Sequence, residues 1–275
     1  MSALLILVHP FPSALNTALV FGIALVAGAT LERATQLSLA MLGLQFCIGA
    51  VNDLFDEALD ARSKPNKPIP AGRVSRRTAW IVAALAGGGG LVFAALINPP
   101  DLLPLFMAAL MLAAGLVYDA LLKPTAFGWV CFAVAFPILP IYAWYGAVSG
   151  LPPRWEILVP VAALAGPALQ LANGLVDFET DRAAGLRTLA VSLGRRNALA
   201  LMAAGLLFVH LLAWVTIPPE APEVVSLLAG VAGALALGGW VASANTETIV
   251  RQIGWTAQTA SIAVLALSWL LAART

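Results

Sequence analysis

The sequence predicts an all-α integral membrane protein of nine transmembrane helices. Three observations carry that prediction. Of 275 residues, 61% are hydrophobic and 11% charged, where a soluble domain carries about 25% charged residues. Mean hydropathy is +0.91. Apolar runs close to the ~20 residues needed to cross a bilayer as helix recur from end to end. Each span must satisfy its own backbone hydrogen bonds, which at this length means helix.

In chain order the runs are 12–31, 34–52, 78–97, 102–121, 127–148, 156–176, 196–216, 224–243 and 254–273. The first follows MSALLILVHPFP, which has no basic n-region and no small-residue cleavage site, so no removable targeting signal is expected. The second runs into the charged stretch NDLFDEALD. The third holds GGGG at 87–90; without a following Lys-Ser/Thr pair this is not a phosphate loop, and small residues there suit close helix packing. The fourth ends at YDALLK. The fifth and sixth carry Pro137, Pro140, Pro160 and Pro167, which are expected to kink them. The seventh holds His210, read as a buried hydrogen-bonded residue. Loops rich in Pro, Gly or charge (INPPD, SGLPPRWE, TIPPEAPE) separate the spans. Cys47 and Cys131 both fall inside spans as small apolar residues.

Sorting the fifteen basic residues by loop parity places twelve on one side, namely Arg62, Lys64, Lys67, Arg73, Arg76, Arg77, Lys123, Arg182, Arg187, Arg195, Arg196 and Arg251. Arg33, Arg154 and Arg274 fall on the other. By the positive-inside rule the first group is cytoplasmic, with the N-terminus inside and the C-terminus outside a cell inner or plasma membrane. All eight Trp residues fall toward span ends, where indoles prefer to sit. A net charge of +1 gives no sign of a nucleic-acid partner.

The acids gather on the same predicted face. Asn52, Asp56 and Asp60 are spaced i, i+4, i+8, so a helix puts them on one stripe. Asn173, Asp177 and Asp181 in NGLVDFETD repeat that spacing four spans later. The match predicts two four-helix halves plus a ninth helix, a parallel repeat. Carboxylates at i, i+4 repel one another, and a divalent cation removes the conflict. Mg2+ takes one or two carboxylates together with phosphate and water oxygens. Two such pairs suit a diphosphate bridged by metal, with Arg62, Lys64, Lys67, Arg73 and Lys123 neutralising its remaining charge.

These residues carry a family resemblance. NDLFDEALDARSKPNKPIPAGRVS resembles the first signature of the UbiA superfamily of intramembrane prenyltransferases, and NGLVDFETDRAAGLRTLAVSLG its second. YDALLK, with Tyr118 and Lys123, is similar to the family's Tyr–Lys element. HPFPSALN resembles its N-terminal Arg-Pro segment, except that His9 stands where the family carries Arg. The resemblance covers essentially the whole chain and implies a single membrane domain over 1–275, a helical bundle around a central cavity. It also implies prenyl transfer from a prenyl diphosphate in the membrane lipid, with Mg2+ on Asn52, Asp56, Asp60, Asp177 and Asp181. Asn173 follows by internal symmetry.

The expected chemistry is departure of diphosphate, its charge stabilised by metal and cations, in a cavity that keeps water from the allylic cation. Asp119 is placed either as proton acceptor or as partner to Lys123. The acceptor classes are an aromatic acid, a quinone precursor, a tetrapyrrole or a glycerol phosphate. The KPNKPIPAGRVS loop leans toward the branch containing chlorophyll synthase and the archaeal-type lipid geranylgeranyltransferases. A terpene cyclase would use the same Asp motifs without an acceptor. A membrane transporter would also use repeats, but it predicts polar residues near the midplane rather than at helix ends.

Overall fold

The structure, a computed structural model, describes residues 2–274. Among the described residues nine helices are long and apolar enough to cross a membrane. In chain order the helices are a short α1 (Ala3–Leu7), α2 (Pro10–Ala27), α3 (Leu31–Ser63), α4 (Arg76–Ala95) and α5 (Leu103–Val117), which runs into a π-helical turn, Tyr118–Leu122. There follow α6 (Trp129–Val148), α7 (Trp155–Val176), the short α8 (Phe178–Ala183) and α9 (Leu189–Leu193), then α10 (Arg195–Thr216), α11 (Glu223–Ser243) and α12 (Thr248–Arg274). Leu85, Val92, Phe106, Val215, Leu227 and Leu237 are exposed apolar residues on these helices, as lipid-facing surfaces require.

The chain packs as two compact units. The first runs through Leu121 and takes back Leu139–Gly150; the second holds Leu122–Ile138 and the chain from Leu151 onward. Each unit therefore has four whole spans and part of α6, which divides after Ile138, between the prolines Pro137 and Pro140.

In the first unit, α3 and α4 touch at their backbones. A Cβ on Gly90 would lie 2.8 Å from the Ala40 carbonyl oxygen, and one on Gly43 2.6 Å from that of Ala86. The four-glycine run is thus used asymmetrically, for Gly87 and Gly90 meet α3 while Gly88 and Gly89 meet nothing within 4 Å. Thr30 and Ser75 cap α3 and α4, accepting from the backbone N–H of Arg33 and Thr78. At 33 residues, α3 is about 50 Å long, longer than the ~30 Å hydrocarbon layer, so its polar end stands clear of the lipid tails.

In the second unit a core of Leu169, Leu175, Phe178, Ala198, Met202 and Leu206 joins α7, α8 and α10. His210 is hydrogen-bonded as expected, Nε2 2.9 Å from the Ser261 hydroxyl and Nδ1 2.8 Å from the Leu206 carbonyl. The indoles divide. Trp80, Trp129, Trp155, Trp214 and Trp240 are exposed, whereas Trp144 and Trp269 are each 5% exposed. Trp269 satisfies its N–H inside the protein, donating to Thr216 Oγ1 at 2.8 Å, and Arg154 lies 5.7 Å from its ring centroid.

Candidate active site

The first aspartate motif lies on unbroken helix. Asn52, Asp56 and Asp60 occupy successive turns of α3, which continues to Ser63. Asn52 Nδ2 donates to Asp119 Oδ1 at 2.7 Å. A carboxylate without a proton can only accept, so this bond fixes which way the amide faces and turns the Asn52 carbonyl oxygen away from Asp119. Asp119 is buried within the π-helical turn, a distortion that recurs at functional sites.

The central finding in this unit is a residue that carried no role in the sequence reading. Asp53, off the i, i+4 stripe, is 1% exposed. Its Oδ1 accepts from Lys67 Nζ at 2.7 Å and lies 2.9 Å from His9 Nε2, while its Oδ2 is buried with no hydrogen-bond partner. Lys67 Nζ also donates to Asp60 Oδ2 at 2.7 Å, so one ammonium joins the buried carboxylate to the motif. Burial works to lower the Lys67 pKa, but the Asp53 and Asp60 carboxylates outweigh it and hold the ammonium above the usual lysine value. His9, the departure from the family pattern, caps α2 from the left-handed region at φ 50° and reaches Asp53 rather than the loop.

The other predicted residues of this unit are more open. Arg62 and Lys64 are exposed at the end of α3, and Arg73 is exposed with its guanidinium donating to the Asn66 carbonyl of its own loop. Arg76 pairs with Glu57, outside the motif stripe. Tyr118 opens the π-helical turn and is half-buried.

In the second unit the repeated spacing is read on a different backbone. Asn173 is in α7, Asp177 stands at the break after Val176, and Asp181 is in α8. The register survives because the Asp181 N–H donates to the Asp177 carbonyl at 2.9 Å. The expectation of one continuous helical stripe thus holds for the first motif and gives way to a broken helix at the second. Asp177, Asp181 and Asn173 are all half-buried, as is Lys123 in the same unit. Arg251, counted in the sequence only toward orientation, is 2% exposed and donates to the Val176 carbonyl and to Glu179.

Among the described residues no three His, Cys, Asp or Glu side chains converge on a point where a metal ion could sit. Mg2+ usually keeps several waters and binds one or two carboxylates plus phosphate rather than a dedicated protein cage. The donors on each stripe are oxygens of Asn and Asp, the right chemistry for a hard cation.

The chain is similar to known proteins over most of its length. A digeranylgeranylglyceryl phosphate synthase of Methanoregula boonei is 37% identical over 182 residues, 63% of this chain and 62% of that protein, so this chain matches less than two thirds of that relative's length. The protein of the same description from Halobacterium salinarum is 34% identical over 200 residues, 72% of this chain and 71% of that one. A UbiA homolog from Archaeoglobus fulgidus, solved with GPP and Mg2+ bound, superposes with a TM-score of 0.69 at 19% identity, covering 99% of both chains. The family description that matches, UbiA prenyltransferase family, spans residues 14–253. With that span matched out of 275 residues, the chain belongs to the UbiA prenyltransferase family.

Proposed function

We propose that this chain carries a prenyl group from a prenyl diphosphate onto a lipid-type acceptor, with Mg2+ bound by its Asn and Asp stripes. The observation that carries the reading is the end of α3, where Asn52 is oriented by Asp119 and Asp60 is tied to Lys67 beside Asp56. When bound, the metal supplies positive charge to the diphosphate as the allylic C–O bond breaks. Asn52, Asp56 and Asp60 hold one ion and Asp177 and Asp181 a second, with Asn173 beside them. Arg62, Lys64, Lys67, Arg73 and Lys123 bind the phosphate oxygens, and Tyr118 turns its ring to the allylic carbon. The C–O electron pair goes with the departing diphosphate, the acceptor oxygen bonds to the allylic carbon, and the acceptor's proton is lost to diphosphate.

Relatives described as digeranylgeranylglyceryl phosphate synthases favour a glyceryl phosphate lipid as acceptor over a quinone precursor or an aromatic acid. The Archaeoglobus structure with GPP and Mg2+ supports both the donor class and the ion. The positive-inside bias supports a cytoplasmic site, and we read the chain as one functional domain.

The test is purified protein incubated with labelled prenyl diphosphates and a panel of glyceryl phosphate, aromatic and quinone-type acceptors. Diphosphate release should track prenylated lipid, require Mg2+ or Mn2+, stop with EDTA, and be lost in Asp56→Ala and Asp177→Ala. Turnover that survives chelation would sink the metal assignment. Diphosphate released without acceptor, alongside a cyclised hydrocarbon, would replace transfer with cyclisation.

A further inference from the structure

We propose that Arg251 is the positioning residue of the second aspartate motif, clamping the broken end of α7 so that Asp177 and Asp181 keep a metal-binding register. The proposal rests on the reading that these two acids hold an ion. Arg251 lies in the first turn of α12 and is 2% exposed. Its Nη2 donates to the Val176 carbonyl at 3.1 Å, to Glu179 Oε2 at 3.3 Å and to Thr248 Oγ1 at 3.1 Å. Its Nη1 donates to the carbonyls of Thr246 at 2.5 Å and Asn245 at 3.5 Å. One nitrogen thus holds the residue before Asp177 and a residue between Asp177 and Asp181, while the other ties the group to the loop preceding α12.

Leu175 and Phe178 bury the junction's apolar side, and Arg251 meets its backbone end. Asp177 ends α7 and begins α8, yet its side chain makes no capping hydrogen bond, and α8 is only six residues long. A helix end leaves its last carbonyls without intrahelical partners, and a cation is favoured there; the guanidinium answers both needs at Val176. The ion pair with Glu179 is not the reason for its burial, because that acid's side chain is 59% exposed. Nor is full satisfaction, since Arg251 Nε is buried without an acceptor. The backbone carbonyls are what the group is placed to reach. The first motif, on continuous α3, has no break to clamp.

The contact acts through the backbone on the ligands, as outer-shell partners of metal sites do. The experiment uses the full chain in detergent with a non-reacting prenyl thiolodiphosphate, reading Mn2+ half-saturation and amide hydrogen exchange. Arg251→Gln should weaken Mn2+ by about tenfold or more and speed exchange over residues 174–183 while leaving 52–60 protected. Arg251→Lys, which keeps the charge, should recover part of both. Glu179→Gln, which removes one contact from an exposed acid, should give a smaller shift of the same sign even where Arg251→Gln fails to fold. Unchanged Mn2+ binding in these variants beside a crippled Asp177→Asn overturns the clamp alone. Equal loss of protection in both segments also overturns it, in favour of a purely structural arginine. If Asp177→Asn itself binds Mn2+ normally, the metal assignment fails and the clamp loses its purpose with it.

Discussion

Replacing Lys67 by Met tests whether the buried Asp53 depends on it. Their side chains are 20% and 1% exposed, and the Asp60 side chain, also bound to Lys67, is 4% exposed. Removing one partner of a buried ion pair costs about 3–5 kcal/mol because the other charge is stranded. His9 still reaches Asp53 Oδ1 and Lys67 is partly solvated, so the expected loss is at the lower end, about 3 kcal/mol. Asp53→Asn should cost less, about 1–2 kcal/mol, since Lys67 keeps Asp60 and no bare carboxylate remains at that position. The double variant Lys67→Met with Asp53→Asn should be more stable than Lys67→Met alone, because the stranded charge is gone. Reversible denaturant unfolding in detergent micelles measures all three. Two equal single losses that simply add would refute the buried pair.

The same variant carries a pH test. The carboxylates hold the Lys67 ammonium above the ordinary lysine value in the folded protein. Its contribution is therefore fully present below about pH 10.4, the unfolded value, and is lost only as pH rises through the higher folded value. The stability gap between Lys67→Met and the parent chain should stay constant from about pH 6.5 to 9. A gap that closes within that window would mean the lysine titrates near neutrality, contrary to its setting.

Three further outcomes follow from the packing and the site. Gly90→Ala, whose Cβ would meet the Ala40 carbonyl at 2.8 Å, should cost about 1–3 kcal/mol of stability, while Gly89→Ala, facing open space, should be neutral or stabilising by up to ~1 kcal/mol in the same unfolding assay. Asp119→Ala frees the Asn52 amide and should weaken Mn2+ binding by about tenfold, whereas Asp119→Asn, able to accept through its carbonyl, should lose less; equal losses would separate Asn52 orientation from metal binding. With Cys47 and Cys131 replaced, an impermeant thiol reagent applied outside intact cells should label a cysteine in loop 151–155 and miss one in 63–73, and the reverse pattern would invert the proposed orientation.

The spans were legible because crossing lipid is a one-dimensional constraint, a run of apolar residues bounded by polar loops. The apolar run 34–52 continues as helix to Ser63, as the stripe of Asn52, Asp56 and Asp60 required, because charge ends an apolar run without ending a helix. The two acid stripes were legible for the same local reason, being i, i+4 spacings. What the spacing could not show is the backbone beneath it, continuous at Asp56 and broken at Asp177. The side chains that distinguish the two stand 14, 44 and 75 residues from their partners, in the Lys67–Asp53, His9–Asp53 and Arg251–Val176 contacts.

Those distant partners explain why near-identical motifs need different supports. Carboxylates at i, i+4 repel along a helix, and each half brings in a cation from elsewhere in the chain. In the first half Lys67 binds Asp60 directly and anchors it to a carboxylate 1% exposed, so charge is balanced at the side chains and α3 stays whole. In the second half Arg251 binds the Val176 carbonyl and Glu179 instead. There α7 ends before Asp177 and Arg251 caps that end at the Val176 carbonyl, and the stripe continues through the bond from Asp181 N–H to the Asp177 carbonyl. Substituting the first cation therefore strands acids and acts on charge, while substituting the second loosens a backbone and acts on geometry. Neutralising Asp53 offsets the first loss and cannot offset the second.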